Sequence, residues 1–220
     1  MFEGNLYNAS VPMDNSMAVS DDGRLISAVN SSIYLFDVNT GELLAENSLH
    51  NFVDHSLGFH SKYDPKVSFD PVNNRFQIIF LYSNTPSLGH IIVAFSATND
   101  PMGDWHVYEL PSNPLDNNRW SDYPAISQNS EDLFITVNLI IPEEPWQTGF
   151  DGTIIWQINK ESGYMGAEEM DMTLWTDITF GGNYIRNLTP VDGINCFDDD
   201  NMYFLSNRNF ALANDTIFLV

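Results

Sequence analysis

Thiols are nearly absent from this chain. Cys196 is its one cysteine, so no internal disulfide is possible. No histidine stands near it in sequence to activate it, and its apolar neighbours predict a buried, inert thiol. Basic residues are also scarce: 8 Lys and Arg face 30 Asp and Glu, for a formal charge of −22. Such a surface repels phosphates, which excludes nucleic acid as the default partner and disfavours anionic membranes. No apolar run reaches the ~18 residues of a membrane-spanning helix, so membrane insertion is not expected. The polar opening Met1–Ser10 has neither the basic start nor the apolar stretch of a secretory leader. The other end stops within the strand-like residues 214–220, and the expectation is an excerpt of a longer protein. Helical periodicity is missing too; residues 43–57 hold at most a short helical turn. Gly-x-Ser-x-Gly, phosphate-loop, His-Glu-x-x-His and Cys-x-x-Cys motifs are all absent, which removes the commonest nucleophile, nucleotide and metalloprotease chemistries.

What the chain does have is a repeat. Residues 17–30, 67–80, 125–138 and 194–207 each run from a small or apolar strand start, through an acidic or Asn-rich turn, into an alternating apolar strand. A second apolar strand follows each, over 32–38, 90–96, 153–159 and 215–220. Asp21-Asp22-Gly23, Asp70-Pro71-Val72-Asn73-Asn74 and Asp198-Asp199-Asp200-Asn201 are turn chemistry, because Asx side chains bond nearby backbone and tolerate left-handed conformations. Repetition of this kind predicts an all-β chain folded as a β-propeller. About four blades fit, roughly 15–60, 61–115, 116–185 and 186–220, as part of a larger ring. A single β-sandwich is the competing fold, but it has no need of a repeated motif. Equivalent aromatics at Phe76, Phe134 and Tyr203 lie further apart than the ~40–45 residues of a WD40 unit, which predicts long loops at 83–89, 111–120, 141–151 and 164–183.

The segments 63–81, 92–108 and 120–139, with the opening 2–23, resemble an uncharacterised group of exported bacterial β-propeller proteins that often carry a type IX secretion sorting tail. The resemblance covers most of the chain. It implies a propeller at the cell surface or outside the cell, and is nearly silent about activity. Residues 31–44 separately resemble the strand-turn-strand of quinoprotein propellers. Ser96–Trp105 resembles a degenerate Asp-box turn of sialidase-type propellers, a structural feature in which Asn99 and Asp100 hold the turn and Gly103 is expected at positive φ.

Asp64 and Asp122 are the carboxylates most open to a functional reading. Each stands just ahead of a proline and an innermost strand, in Asp64-Pro65-Lys66-Val67 and Asp122-Tyr123-Pro124-Ala125. In a propeller that position is the mouth of the central channel. Two carboxylates there suit a glycosidic bond, and the phrase looks like the Asp-Pro segment of five-bladed furanosidase propellers. Those enzymes also need a Glu general acid, where the fourth repeat has Asp192-Gly193-Ile194, with Glu143 and Glu144 as loop-borne substitutes. Turn capping is the commoner use of such aspartates. Trp120 and Trp146 stand on Pro-rich loops and could stack on sugar rings, whereas Trp156 lies within a strand and reads as core. His50, His55 and His60 recur around Asp54 at a spacing that shares no helix or strand face, which favours a loop over a metal site. Asp198, Asp199 and Asp200 are weak calcium candidates; the run lacks the alternating ligands of an EF-hand loop. The acidic balance itself suits solubility in salty media more readily than bound calcium. The function expected is a binding or scaffold module for a glycan or a surface protein, with no catalysis evident. The alternative is a glycoside hydrolase using Asp64 and Asp122, and a third option is a quinone-dependent dehydrogenase.

Overall fold

A computed structural model describes residues 4–5, 12–53, 60–192, 201–207 and 216–220. Cys196, His55, Asp54 and the run Asp198, Asp199 and Asp200 lie outside the described residues. The chain is all-β and is built from propeller blades. The first sheet comprises β1 (Ser16–Val19), β2 (Arg24–Val29), β3 (Ser32–Asp37) and β4 (Glu42–Ser48), followed by the single-turn helix α1 (Leu49–Phe52). The second comprises β5 (Lys62–Asp70), β6 (Arg75–Tyr82), β7 (His90–Ser96) and β8 (Trp105–Pro111). The third comprises β9 (Trp120–Gln128), β10 (Asp132–Ile140) and β11 (Phe150–Asn159), then α2 (Lys160–Tyr164) and β12 (Met172–Trp175). A hairpin of β13 (Thr179–Phe180) and β14 (Asn183–Tyr184) precedes a sheet of β15 (Thr189–Pro190), β16 (Phe204–Asn207) and β17 (Ile217–Leu219). Each four-stranded sheet is an antiparallel meander in which spatial order follows chain order, the topology of a propeller blade.

Asp70 holds its turn as the sequence suggests, whereas in the first sheet the capping side chain is Ser20 and not Asp21 or Asp22. Between first and second strands a short polar side chain accepts hydrogen bonds from backbone amides just ahead of it. Ser20 Oγ accepts from Arg24 N at 3.0 Å, Asp70 Oδ1 from Val72 N at 3.0 Å and Asn73 N at 3.1 Å, and Asn129 Oδ1 from Asp132 N at 2.7 Å. The Asp-box-like turn is held by Asp100 Oδ1, which accepts from Met102 N at 3.0 Å. Gly103 is not at positive φ. A Cβ there would stand 3.2 Å from the Asp100 carbonyl, a tight fit that a small shift of the turn relieves.

The chain divides into two compact units. The first holds Met1–Ser83, His90–Pro111 and Tyr164–Gly166; the second holds Asn84–Gly89, Ser112–Gly163 and Ala167–Val220. In the first, alternate residues of the first sheet (Ile26 and Ala28, Ile33 and Leu35) pack against alternate residues of the second (Phe76, Ile78 and Phe80, Ile92 and Ala94). Ser16 Oγ ties the sheets together by accepting from Val67 N at 2.9 Å. Strands β6 and β7 are buried on both faces, which explains their near-continuous apolar runs. In the second unit Phe134, Ile155, Ile185, Leu188 and Phe204 form a core cluster, with Phe134 edge-on to Phe204.

The long loop expected over 164–183 contains structure. Strand β12 completes the third sheet, pairing Met172 to Trp175 with Ile158 to Ile155. Four half-exposed residues beside an acidic stretch carry too weak a pattern to read as a strand. Their partner β11 makes them one.

Candidate functional site

The second unit gathers a polar and aromatic site at one end of the third sheet. Asp122 on β9, Asn138 on β10 and Thr153 on β11 lie side by side in register. Asn138 and Thr153 are buried polar residues in otherwise apolar strands, and their hydrogen bonds go to a strap, residues 185–188. Asn138 Oδ1 accepts from Asn187 N at 3.0 Å, and Asn138 Nδ2 donates to Asn187 Oδ1 at 2.6 Å. Thr153 Oγ donates to the Ile185 carbonyl at 2.7 Å, and Thr136 Oγ to the Leu188 carbonyl at 2.5 Å. Asn187 takes the left-handed conformation, φ 53°, that lets the strap turn.

The strap presents Arg186. Its Nη1 donates to the Gln147 carbonyl at 2.9 Å and Nη2 to the Trp146 carbonyl. The guanidinium lies 5.2 Å from the Phe150 ring centroid and 5.7 Å from that of Trp146, within cation–π range. Burial pulls this guanidinium below its ordinary pKa, and the charge of Asp122 opposes that shift. Trp146 is half exposed on the 141–149 loop, which is closed by Ile141 N donating to the Gly149 carbonyl at 2.8 Å. Trp120 pairs with Ile140, where this loop leaves the sheet, so both tryptophans stand at the Asp122 end. Exposed Tyr123 and the Arg119–Asp151 ion pair at 2.7 Å complete the rim.

Asp64 belongs to the first unit. Strands β5 and β9 both bulge at their proline, but the two aspartates are not equivalent in register. Asp64 is itself the bulged residue, at φ 53°, whereas in β9 that role falls to Tyr123, at φ 54°, and Asp122 precedes it. Beside Asp64, Lys62 is buried and its ammonium is 3.2 Å from His50 Nδ1 and 3.4 Å from the His60 carbonyl. Burial lowers the Lys62 pKa. Two of the three spaced histidines thus meet around a lysine that pattern reading passed over. Glu143 and Glu144 are exposed on the 141–149 loop, and Trp156 is buried. No group of three metal-ligating side chains gathers among the described residues.

Arg186, Asn138 and Lys62 carry no motif. The usable signal is polarity out of place: an Asn in Leu133-Phe134-Ile135-Thr136-Val137-Asn138-Leu139 interrupts a buried strand and implies a partner.

The meander sheets define the chain as a protein of the β-propeller class. No family model and no curated protein matches it. Among solved structures it is similar to the Cps50 (Swd1) β-propeller domain of Myceliophteria thermophila, at 12% identity and a TM-score of 0.36 over 92% of this chain and 71% of that one. It is also similar to an exo-beta-1,3-galactanase from Clostridium thermocellum, at 11% identity and 0.40, covering 94% of this chain and 56% of that one. A GH43 endo-arabinanase from Bacillus licheniformis is matched at 11% identity and 0.36, over 98% and 95% of the two chains.

Proposed function

We propose that the protein is a β-propeller binding module, working at the cell surface or outside the cell, whose second unit recognises a glycan. The observation that carries this reading is Arg186, strapped against the half-exposed Trp146 ring and within reach of the Asp122 charge. Sugars offer apolar faces that stack on indole rings and hydroxyls that bridge carboxylates and guanidinium groups. The strap is anchored by buried hydrogen bonds and Arg186 ties the loop to it, so little ordering entropy opposes binding. Titration against a panel of neutral oligosaccharides tests the proposal. A ligand bound by the folded protein should lose at least ~10-fold in affinity in Trp146→Ala and in Asp122→Asn, the equivalent of ~1.4 kcal/mol or more. Binding indifferent to both substitutions, or none across the panel, overturns it.

Glycoside hydrolysis is the second reading, favoured by a carboxylate at the same site. It requires turnover of aryl glycosides that falls by orders of magnitude in Asp122→Asn. Turnover retained in that variant removes this role.

A further inference from the structure

The first unit contains a cavity unrelated to the site above. Its volume is about 370 Å³, within the range of small-molecule sites. Ile26, Ile33 and Leu35 from the first sheet form one wall, and Ile78, Phe52 and Trp105 form the other. Two small residues among these larger ones leave part of the space open. Ala45, opposite Leu35 in the β3–β4 ladder, offers only a methyl group, and Gly103 at the neighbouring turn offers nothing. The aromatic wall is rigid. Trp105 Nε1 is committed to the Pro101 carbonyl at 3.2 Å, and the Trp105 and Phe52 rings meet edge to face at 5.2 Å.

Its polar side chains, Asn47, Asn51 and Asp104, are exposed, as is Met102 beside them. Water inside would find few hydrogen-bond partners, so an apolar molecule displaces it favourably. The Asp104 carboxylate is exposed and has no ion-pair partner among the described residues. With a chain charge of −22, anionic ligands are disfavoured at this mouth and cations are favoured.

We infer that this cavity binds a small amphiphilic amine, with its aromatic or aliphatic body between the two sheets and its ammonium group at Asp104. Methionine at the lip accommodates bodies of varied shape.

Three probes of one shape separate the contributions: 4-phenylbutylamine, 4-phenylbutanol and 4-phenylbutyrate. Binding is followed calorimetrically and by tryptophan fluorescence at about 150 mM salt, where long-range charge is screened beyond ~8 Å. The amine should bind at least ~10-fold tighter than the acid, with the alcohol between them. Ala45→Phe, which fills the cavity, should abolish all three. Asp104→Asn should bring the amine down to the alcohol and leave the alcohol unchanged. Should Ala45→Phe fail to fold by circular dichroism, Val107→Trp obstructs the same cavity from partly exposed β8. No binding of any probe by the folded protein overturns the inference, as does binding that survives the filled cavity. An amine preference that persists in Asp104→Asn comes from net charge alone and also overturns it.

Discussion

Tyr164 shows how much rests on single polar groups in the first unit. Its hydroxyl donates to Asp70 Oδ2 at 3.0 Å and accepts from Gln77 Nε2 at 2.6 Å, and its ring meets Phe95 edge-on. Burial, with Asp70 beside it, pushes the phenol well above its ordinary range, so it stays a donor at any working pH. Tyr164→Phe keeps the packing and removes both bonds, and should cost ~1–3 kcal/mol in urea denaturation. A cost near zero would mean that water replaces the hydroxyl. Lys62 presents the opposite case, a cation whose pKa burial lowers. Between that lowered value and the ~10.4 of an unfolded lysine, the unfolded chain binds more protons, so this group adds stability as pH rises. Stability of the wild type relative to Lys62→Met should therefore improve from about pH 7 to about pH 10. A constant difference would show that the folded lysine titrates normally.

At the level of elements, the strap at 185–188 has no regular structure of its own and is held by side chains on β10, β11 and β16, Ser206 Oγ donating to the Arg186 carbonyl. Asn138→Leu deletes two of its anchoring hydrogen bonds, those with the Asn187 amide and with Asn187 Oδ1. A loss of ~2–4 kcal/mol is expected, together with weaker ligand binding through a misplaced Arg186. Unchanged stability would show that the strap is held elsewhere. Glycine matters in a different way where the 84–89 loop meets Ser112. A Cβ on Gly89 would stand 2.6 Å from the Thr85 carbonyl and 2.7 Å from Ser112 Cβ. Gly89→Ala should cost ~1–3 kcal/mol through overpacking, read as a lowered urea midpoint. Tolerance of alanine would mean that the loop can move aside.

Over the whole molecule the dominant quantity is charge. Thirty acids against eight bases repel one another in any compact state. Added salt shortens the range of that repulsion from ~30 Å at 10 mM to ~10 Å at 100 mM. Raising sodium chloride from about 10 mM to about 300 mM should lift Tm by several degrees, since ~1 kcal/mol is worth ~2–4 °C at this chain length. A Tm that stays level or falls would mean that the acids are already neutralised, by bound cations for instance.

Much of the architecture was legible in the residues, because strand alternation and Asx turn chemistry are local. A side chain two positions away shares a face whatever the rest of the chain does. The turns at Ser20, Asp70 and Asn129 needed no partner from elsewhere. The candidate site was legible only in part. Asp122 and Trp146 stand out beside a proline and on a loop, but Arg186 joins them from 40 residues beyond Trp146 and further still from Asp122, with nothing local to mark it. The register of Asp64 and Asp122 was likewise hidden, because a bulge is a property of two strands and not of one. Local chemistry, which acts over a few bonds, decided that this chain forms repeated antiparallel sheets with capped acidic turns. Which side chains meet, around Arg186 and around the cavity beside Trp105, was decided by strand pairing and packing, since those forces act between residues that the sequence keeps apart.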